Sequence, residues 1–403
     1  MRKGILILAA GPMQVPAILT AKELGLMVIA ADRNPQAPGF RFADVALPLD
    51  TVNHAALADW AEQHKREYNI SAVFAGADVA VTAAVINQRL GLPGISVAVA
   101  EASHNKAKMK ERWLRDGVST PACVEVGNRS EAKQVAGKYG YPVMVKAVDN
   151  SASRGTKVVR GMDELEPAVD DAMRRSTTSS CLIERFVEGD EQSVETIMHN
   201  GEQLRAGMVD RHYDFFPYPI EVGHTNPSRL PADTQEQIFR VVGDAARSLG
   251  IAHGPAKADM ILTRQGPMIL EMPARLSGGF HSQYTTPLAT GMNPIRAVMK
   301  QSLGDDKFRE DLIPTRNEYS LCHAIFPPPG RILAIKGYEE AQALEGVKHI
   351  FMFKQVGETI EPYRNCADRP CYVIIQAGTR EELWSLFDVV KKTLRLETDA
   401  SLT

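Results

Sequence analysis

The sequence predicts a mixed architecture, a doubly wound α/β unit at the N-terminus followed by α+β units. Three observations carry that expectation. The chain has 403 residues, beyond the size at which one hydrophobic core keeps growing, so two or three units are expected. Over residues 1–102, short apolar runs alternate with amphipathic stretches, as strand–helix–strand repetition requires. From residue 141 to about residue 276, alternating strand patterns and tight turns take over.

In the first stretch, residues 5–8, 27–31 and 72–75 read as buried parallel strands, and 14–24, 54–68 and 79–90 have helical spacing. The first turn, Ala9 to Met13, holds one glycine and no GxGxxG, so a plain structural turn is favoured over a dinucleotide site. Ser103 is placed to cap a Lys- and Arg-rich helix that runs to Asp116 and stops at Gly117. A strand at 123–126 and a helix from Ser130 follow. Residues 143–148, 157–160, 182–187 and 192–198 read as strands, with 199–201 as a turn. A helix at 234–249 precedes strands at 256–262 and 268–272. From about residue 317 a smaller α+β unit begins. Its last helix opens on Thr379-Arg380-Glu381-Glu382, a capping box.

Composition narrows the function classes. Hydrophobic residues at 44% and charged residues at 24% describe an ordinary globular protein and exclude disorder. With 46 basic and 49 acidic residues, charge is too balanced for nucleic-acid or membrane-surface binding by bulk electrostatics. Aromatics at 6% argue against base-stacking platforms. The cysteines (Cys123, Cys181, Cys322, Cys366 and Cys371) include no CxxC pair, which reads as reduced thiols in a cytoplasmic protein. Arg2-Lys3 before an apolar run suggests a signal peptide, but the run is short and reads as a strand. No run approaches the roughly 18 apolar residues of a membrane span.

The strongest chemical signal is a hairpin, Lys257-Ala258-Asp259-Met260 to Ile269-Leu270-Glu271-Met272-Pro273. With its turn centred on Gln265, Asp259 faces Glu271, and Lys257 faces Pro273 on the same side. Two carboxylates facing across a sheet repel unless something neutralises them. A hard divalent ion such as Mg²⁺ does so, and the apolar flanks favour that reading over a solvated hairpin. The second signal is Lys146 inside the apolar strand Val143–Ala147, followed by a small-residue loop, Asn150 to Thr156. A buried lysine needs a partner, and such loops turn N–H groups toward anions; a surface lysine beside a hairpin is the bland alternative. The third is Leu182 to Glu195, a strand, a glycine turn and recurring acids.

In order and spacing, these three segments resemble the ATP-grasp superfamily of ADP-forming ligases. The resemblance implies an ATP-grasp fold preceded by an α/β (pre-ATP-grasp) domain at 1–102. The ATP-grasp domain would span 103–300, with a lid at about 120–187, and a C-terminal α+β subdomain at 301–403 would complete the substrate site. It implies ATP and Mg²⁺, with Mn²⁺ as an alternative. Lys106 and Lys146 match the nucleotide lysines, and Ser151, Ser153, Arg154 and Gly155 the loop over the phosphates. Glu184, Arg185, Phe186 and Val187 match the adenine hinge, Glu191 the ribose carboxylate, and Asp259 and Glu271 the magnesium ligands. Lys257 and Arg275 fall near the transferring phosphoryl group. Gly278 and Gly279 offer backbone N–H groups to an anion. The family pattern Glu-x-Asn is Glu271-Met272-Pro273 here, which removes one side-chain ligand.

Glu221, His224 and Ser277, with Arg275, look most like the substrate residues of dipeptide-forming L-amino-acid ligases. That implies an acyl-phosphate route to an amide, with small carboxylate and amine substrates and a homodimer as the common assembly. His224 and His281 also have bland readings, as a turn and a helix-start histidine. Two alternatives stay open: a purine-biosynthesis-type ligase or carboxylase on an aminoimidazole ribonucleotide, and a non-catalytic ATP-binding regulator.

Overall fold

A computed structural model describes the backbone of residues 2–402 and the side chains of residues 2–400. Four parallel strands, β1 (Gly4–Leu8), β2 (Met27–Ala31), β3 (Val45–Leu47) and β4 (Ile70–Ala75), form a sheet in the order β3-β2-β1-β4. The strands read as continuous apolar runs because both faces are buried. Ile5 and Ile7 enter one core, Leu6 and Leu8 another. The helices Val15–Glu23, His54–His64 and Ala80–Leu90 cover this sheet. The second is four residues shorter than its periodicity predicts, and the three-residue β3 is too short to carry a pattern.

The single helix expected from Ser103 to Asp116 is two helices, Val97–His104 and Lys106–Arg115. Ser103 is not the cap; it is buried and its Oγ donates to the Ala100 carbonyl at 2.9 Å. Asn105, in an extended conformation, breaks the helix and caps the second half by accepting from Lys108 N–H. Lys106 therefore stands in the first turn of its own helix.

β5 (Cys123–Val126), β6 (Val143–Ala147), β7 (Thr156–Val159) and β8 (Cys181–Arg185) form an antiparallel sheet in the order β5-β8-β6-β7. The helices Arg129–Tyr139 and Met162–Arg175 pack on one face, around Val143, Ala132, Val169 and Ile183. The sequence reading missed the second helix, whose Pro167 reads as a breaker.

The central sheet has eight strands in the order β13-β12-β9-β10-β11-β14-β18-β16. They are β9 (Asp190–His199), β10 (Glu202–Asp214), β11 (Ile220–Asn226), β12 (His253–Thr263), β13 (Gly266–Glu271), β14 (Tyr319–Ala324), β16 (Val347–Met352) and β18 (Cys371–Ala377). Strands from the last fifth of the chain thus continue the sheet begun by β9, and β15 (Gly330–Lys336), β17 (Thr359–Ile360) and β19 (Arg395–Thr398) make a small sheet beside it. The helix Ala232–Leu249 buries Ile238, Val242 and Leu249 against β9, β12 and β13. The closing helix, Arg380–Thr393, carries the capping box expected from its sequence. No helix among the described residues is long and apolar enough to cross a membrane.

One detail of register positions the site. The β12–β13 turn is the two-residue Arg264-Gln265, since Thr263 pairs with Gly266. On that register Asp259 and Glu271 would miss each other. A bulge between Asp259 and Met260 shifts the ladder by one residue and restores the pair Asp259–Glu271. Lys257 then meets Pro273, its N–H donating to the Pro273 carbonyl at 3.2 Å.

Candidate active site

The cleft between the four-stranded antiparallel sheet and the central sheet has a volume of about 250 Å³. Met144, Phe186, Phe216, Ile261 and Leu270 give it apolar walls, and Lys146, Glu184 and Glu191 close it. An apolar slot with a few fixed polar groups suits a heteroaromatic ring. Gly189 lets the hinge approach this closely, because a Cβ there would lie 2.2 Å from the Leu262 carbonyl oxygen. Phe186 and Val187 line the slot. Arg185 is exposed and its guanidinium sits over the Tyr139 ring at 5.7 Å.

Glu184 is held on both oxygens. Lys146 Nζ lies 2.8 Å from Oε1 and Lys110 Nζ 2.7 Å from Oε2. Burial works against the charged carboxylate, but the two lysines outweigh it and the Glu184 pKa falls below its ordinary value. Burial likewise opposes the Lys146 charge, and Glu184 wins, raising its pKa. Lys110 is fully buried and its pKa is lowered, by burial first. It also donates to Thr120 Oγ1 at 2.7 Å, which donates to the Ile269 carbonyl at 2.7 Å. Lys110 escaped the sequence reading because one lysine in a Lys- and Arg-rich helix looks solvated.

Lys106, Ser151, Glu271, Pro273, Arg275 and Asp78 meet in a small pocket farther along. Lys106 Nζ stands 3.3 Å from Glu271 Oε2. Burial pushes the Glu271 pKa up, but Lys106 and Lys257 hold it well below the usual carboxylate range. Arg275 Nε lies 3.3 Å from Asp78 Oδ1, and its Nη1 donates to the Leu276 carbonyl at 3.0 Å. Asp78, in the loop after β4, was missed. The signal available was its place beyond the carboxyl end of a parallel strand, where α/β sheets bind ligands.

Asp259 is contacted by Lys257 and by Arg211, whose Nη1 is 2.6 Å away. Arg211 also reaches Glu221 Oε2 at 2.9 Å and Glu191 Oε2 at 3.7 Å. It lies on β10, a strand the sequence reading left unassigned, so its role was invisible. Burial raises the Glu191 pKa to about 7, with Arg211 opposing and Asp259 reinforcing it. Ser277 N–H donates to Glu195 Oε1 at 2.7 Å, and Gly279 N–H to Ser277 Oγ at 3.4 Å.

The phosphate-loop candidates divide. Ser151 lines the pocket with Lys106 and Glu271. Arg154 turns back on Asn150 Oδ1 and Ser151, and borders a separate cavity with Arg364 and Asn365. Ser153 Oγ is 3.6 Å from Cys366 Sγ. Gly155 takes a φ of 71°, a left-handed conformation that favours glycine.

The donor set fits a hard divalent ion. Asp259 and Glu271 stand directly opposite each other on β12 and β13. Opposite Asp259 on β9, the buried Ser193 Oγ has no hydrogen-bond partner. Oxygen donors of this kind are those Mg²⁺ takes, usually sharing it with substrate phosphates.

Comparison with known proteins bears on the fold and the family. Residues 139–283 match the ATP-grasp domain family, and residues 323–399 match the L-amino acid ligase C-terminal domain 2. A formate-dependent phosphoribosylglycinamide formyltransferase of Synechococcus is 31% identical over 62% of this chain and 64% of its own. Carnosine synthase 1 of Gallus gallus is 24% identical over 75% of this chain, which spans only 35% of that protein. A D-alanine–D-alanine ligase of Bordetella avium is 30% identical over 53% of this chain and 68% of its own. The crystal structure of an L-amino acid ligase from Bacillus licheniformis shares the fold, with a TM-score of 0.84 at 23% identity, covering 99% of this chain and 100% of that one. ATP-grasp relatives have been solved with MgADP and with ATP. The chain belongs to the ATP-grasp family of ADP-forming carbon–nitrogen ligases and carries a C-terminal domain of the L-amino acid ligases.

Proposed function

We propose that this ligase joins two amino acids through an acyl phosphate. The observation that carries the reading is the order of groups along β13 and its neighbours. Leu270 lines the apolar slot at Lys146 and the next residue, Glu271, lines the pocket with Lys106 and Arg275, while Arg211 links Asp259 to Glu221, beside His224. The match of residues 323–399 supports amino acids as the class of substrate.

A carboxylate at neutral pH is a poor electrophile. In the proposed reaction, an oxygen of one carboxylate attacks the γ-phosphorus of ATP and the β–γ bridging oxygen leaves with ADP. The amine of the second amino acid then attacks the acyl carbon, the carbon–oxygen bond to phosphate breaks, and the amine's proton goes to the departing phosphate. Asp259 and Glu271 would hold Mg²⁺ or Mn²⁺, which neutralises phosphate charge when bound. Lys146, Lys257 and Arg275 add fixed positive charge where negative charge moves, so positioning and electrostatics supply most of the catalysis. Gly278 would offer its N–H to the substrate carboxylate, and Gly279 would do so by releasing its N–H from Ser277 Oγ. Ser151, Ser153, Arg154 and Gly155 form the loop that would exclude water from the acyl phosphate. Glu191 would hold the ribose hydroxyls and the 184–187 hinge the adenine. Residues 1–102, 103–300 and 301–403 are the units of this division of labour, in a cytoplasmic homodimer.

The 31% identity to a formate-dependent phosphoribosylglycinamide formyltransferase favours a second reading, a ribonucleotide substrate. Phosphate release from ATP, measured across amino acids singly and in pairs, separates the two. Release that requires two amino acids, with a dipeptide detected by mass spectrometry, is the expected result. Release only with a glycinamide or aminoimidazole ribonucleotide would replace the proposal.

A further inference from the structure

The loop at residues 150–155 is gripped from outside by a turn of the C-terminal unit. Ala152, Ser153 and Gly155 all take left-handed conformations, with φ of 57°, 58° and 71°. Two of the three are not glycine, and such residues persist only where their surroundings over-determine them. Within the loop, Arg154 N–H reaches the Ser151 carbonyl and Thr156 N–H the Ser153 carbonyl, both at a long 3.2 Å. The Ala152 carbonyl has a better donor, Cys366 N–H at 3.0 Å, and the Cys366 thiol lies 3.6 Å from Ser153 Oγ. On the same side, Val158 N–H donates to the Pro217 carbonyl at 2.9 Å. Phe215 packs its ring on Phe326 and Tyr363, with centroids 4.7 and 5.0 Å away.

The turn Cys366–Asp368 is fixed before the loop meets it. Asn365 and Asp368 form a capping box around it, and the Tyr363 hydroxyl donates to the Pro327 carbonyl at 2.6 Å. Arg369 closes the turn. Its Nε donates to the Cys366 carbonyl at 2.5 Å and its Nη1 to the Glu221 carbonyl at 2.8 Å, with the guanidinium 4.7 Å over the Tyr372 ring. Glu221 lies beyond the last pair of the β11–β14 ladder, Gly223–His323, where the sheet leaves room for a side-chain donor. The Glu221 carboxylate is in turn held by Arg211, which also holds Asp259. A continuous line of contacts therefore runs from the phosphate loop through Cys366, Arg369, Glu221 and Arg211 to Asp259.

We propose that the turn at residues 364–369 is a latch that holds the phosphate loop closed, with Arg369 as the positioning residue that ties the latch to β11. The inference rests on the acyl-phosphate reading above and assigns the C-terminal unit a task in it. The latch sets how the acyl phosphate divides between amine and water, since a closed lid keeps water out. With the loop released, a water oxygen attacks the acyl carbon and the carbon–oxygen bond to phosphate breaks. One water proton goes to the departing phosphate and the other to solvent. The carboxylate is restored, and ATP has been consumed without an amide.

Phosphate released per amide formed reads the latch. Cys366→Pro removes the N–H that holds Ala152, yet it suits a first helical position behind an extended residue, Asn365 at φ −155° and ψ 168°. It should raise the phosphate released without amide by about two- to tenfold, the scale of one hydrogen bond in the closed population. Arg369→Met cuts both donations and should raise it likewise, while Cys366→Ala keeps the N–H and should match wild type. Unchanged ratios in Cys366→Pro and Arg369→Met would overturn the latch. So would an equal rise in Cys366→Ala, which would assign the effect to packing. A second measurement needs no amide. Ser153→Cys stands within reach of Cys366, and diamide should join the two thiols as a disulfide. The locked loop should slow association of a radiolabelled non-hydrolysable ATP analogue about tenfold or more, dithiothreitol should restore it, and wild type treated alike should not change. No disulfide, or nucleotide entering the locked protein at the wild-type rate, would overturn the latch. Blocked entry in a protein that makes no amide would spare the latch and sink the ligase reading. Amide formed at an unchanged ratio in Cys366→Pro and Arg369→Met would do the reverse.

Discussion

Replacing Lys146 with methionine isolates the nucleotide contact, because methionine keeps the length of the side chain and removes the charge. Lys146 Nζ is 2.8 Å from Glu184 Oε1 at the closed end of the apolar slot. At that distance the gross attraction is about 6 kcal/mol at an effective dielectric of ~20, but desolvation of both groups offsets most of it. Breaking a buried pair costs about 3–5 kcal/mol when the remaining charge is left alone. Here Lys110 stays on Oε2 at 2.7 Å, so a smaller loss, about 1–3 kcal/mol, is expected. The effect on binding is separate. A charge-assisted contact to a phosphate oxygen or ring nitrogen contributes about 1.5–3 kcal/mol, so Kd for a non-hydrolysable ATP analogue should rise about 10- to 150-fold. Lys110→Met removes the lysine behind Glu184, buried at the helix–sheet contact, and should show the opposite balance: a larger stability loss and a smaller affinity loss. Calorimetric titration alongside thermal unfolding of both variants measures the two effects. A Kd for Lys146→Met within threefold of wild type, or equal affinity losses in both variants, would refute the reasoning.

Glu271→Ala should abolish turnover and remove the Mg²⁺ dependence of ATP binding, with Asp259→Ala similar but milder, because Arg211 and Lys257 already engage Asp259 Oδ1; wild-type phosphate release from both would dismiss the metal assignment. Arg275→Ala should keep ATP affinity while amide formation falls about a hundredfold, the scale of one lost transition-state donor. Asp78→Asn, which loosens Arg275 through its 3.3 Å contact, should fall less; calorimetry and product mass spectrometry read both. Glu191 has a pKa near 7 in the folded protein, above the ordinary glutamate value of 4.5, so between those values the folded chain binds more protons. Its contribution therefore favours the fold at low pH and is withdrawn as pH rises through about 7. Glu191→Gln should flatten the fall in stability from about pH 5 to pH 7, and identical urea midpoints against pH in the two proteins would contradict this.

The parts legible in the sequence are those set by local pattern. The parallel strands of the N-terminal unit are buried on both faces, so they read as unbroken apolar runs. The Asp259–Glu271 pairing came from period-two alternation, yet its register depends on a bulge that no alternation reveals. Glu184 is marked as a hinge carboxylate by the family resemblance alone, and its engagement by both Lys146 and Lys110 depends on three elements meeting from distant parts of the chain. Arg211 was illegible for the same reason, since it acts on Asp259 far along the chain; the place of Asp78 beyond the end of β4 was legible, but its partner Arg275 was not. The break at Asn105 shows the converse, a local cap overriding helical periodicity and setting Lys106 at the front of its helix.

The central claim is that the carboxylate oxygen leaves with phosphate, and oxygen transfer tests it directly. The protein is supplied with MgATP and an amino acid pair that supports phosphate release, the amino acid that becomes the N-terminal residue of the dipeptide carrying ¹⁸O in both carboxylate oxygens. The phosphate formed is then weighed by mass spectrometry. An acyl-phosphate route delivers one ¹⁸O to each phosphate released with dipeptide. Unlabelled phosphate accompanied by dipeptide would contradict the account.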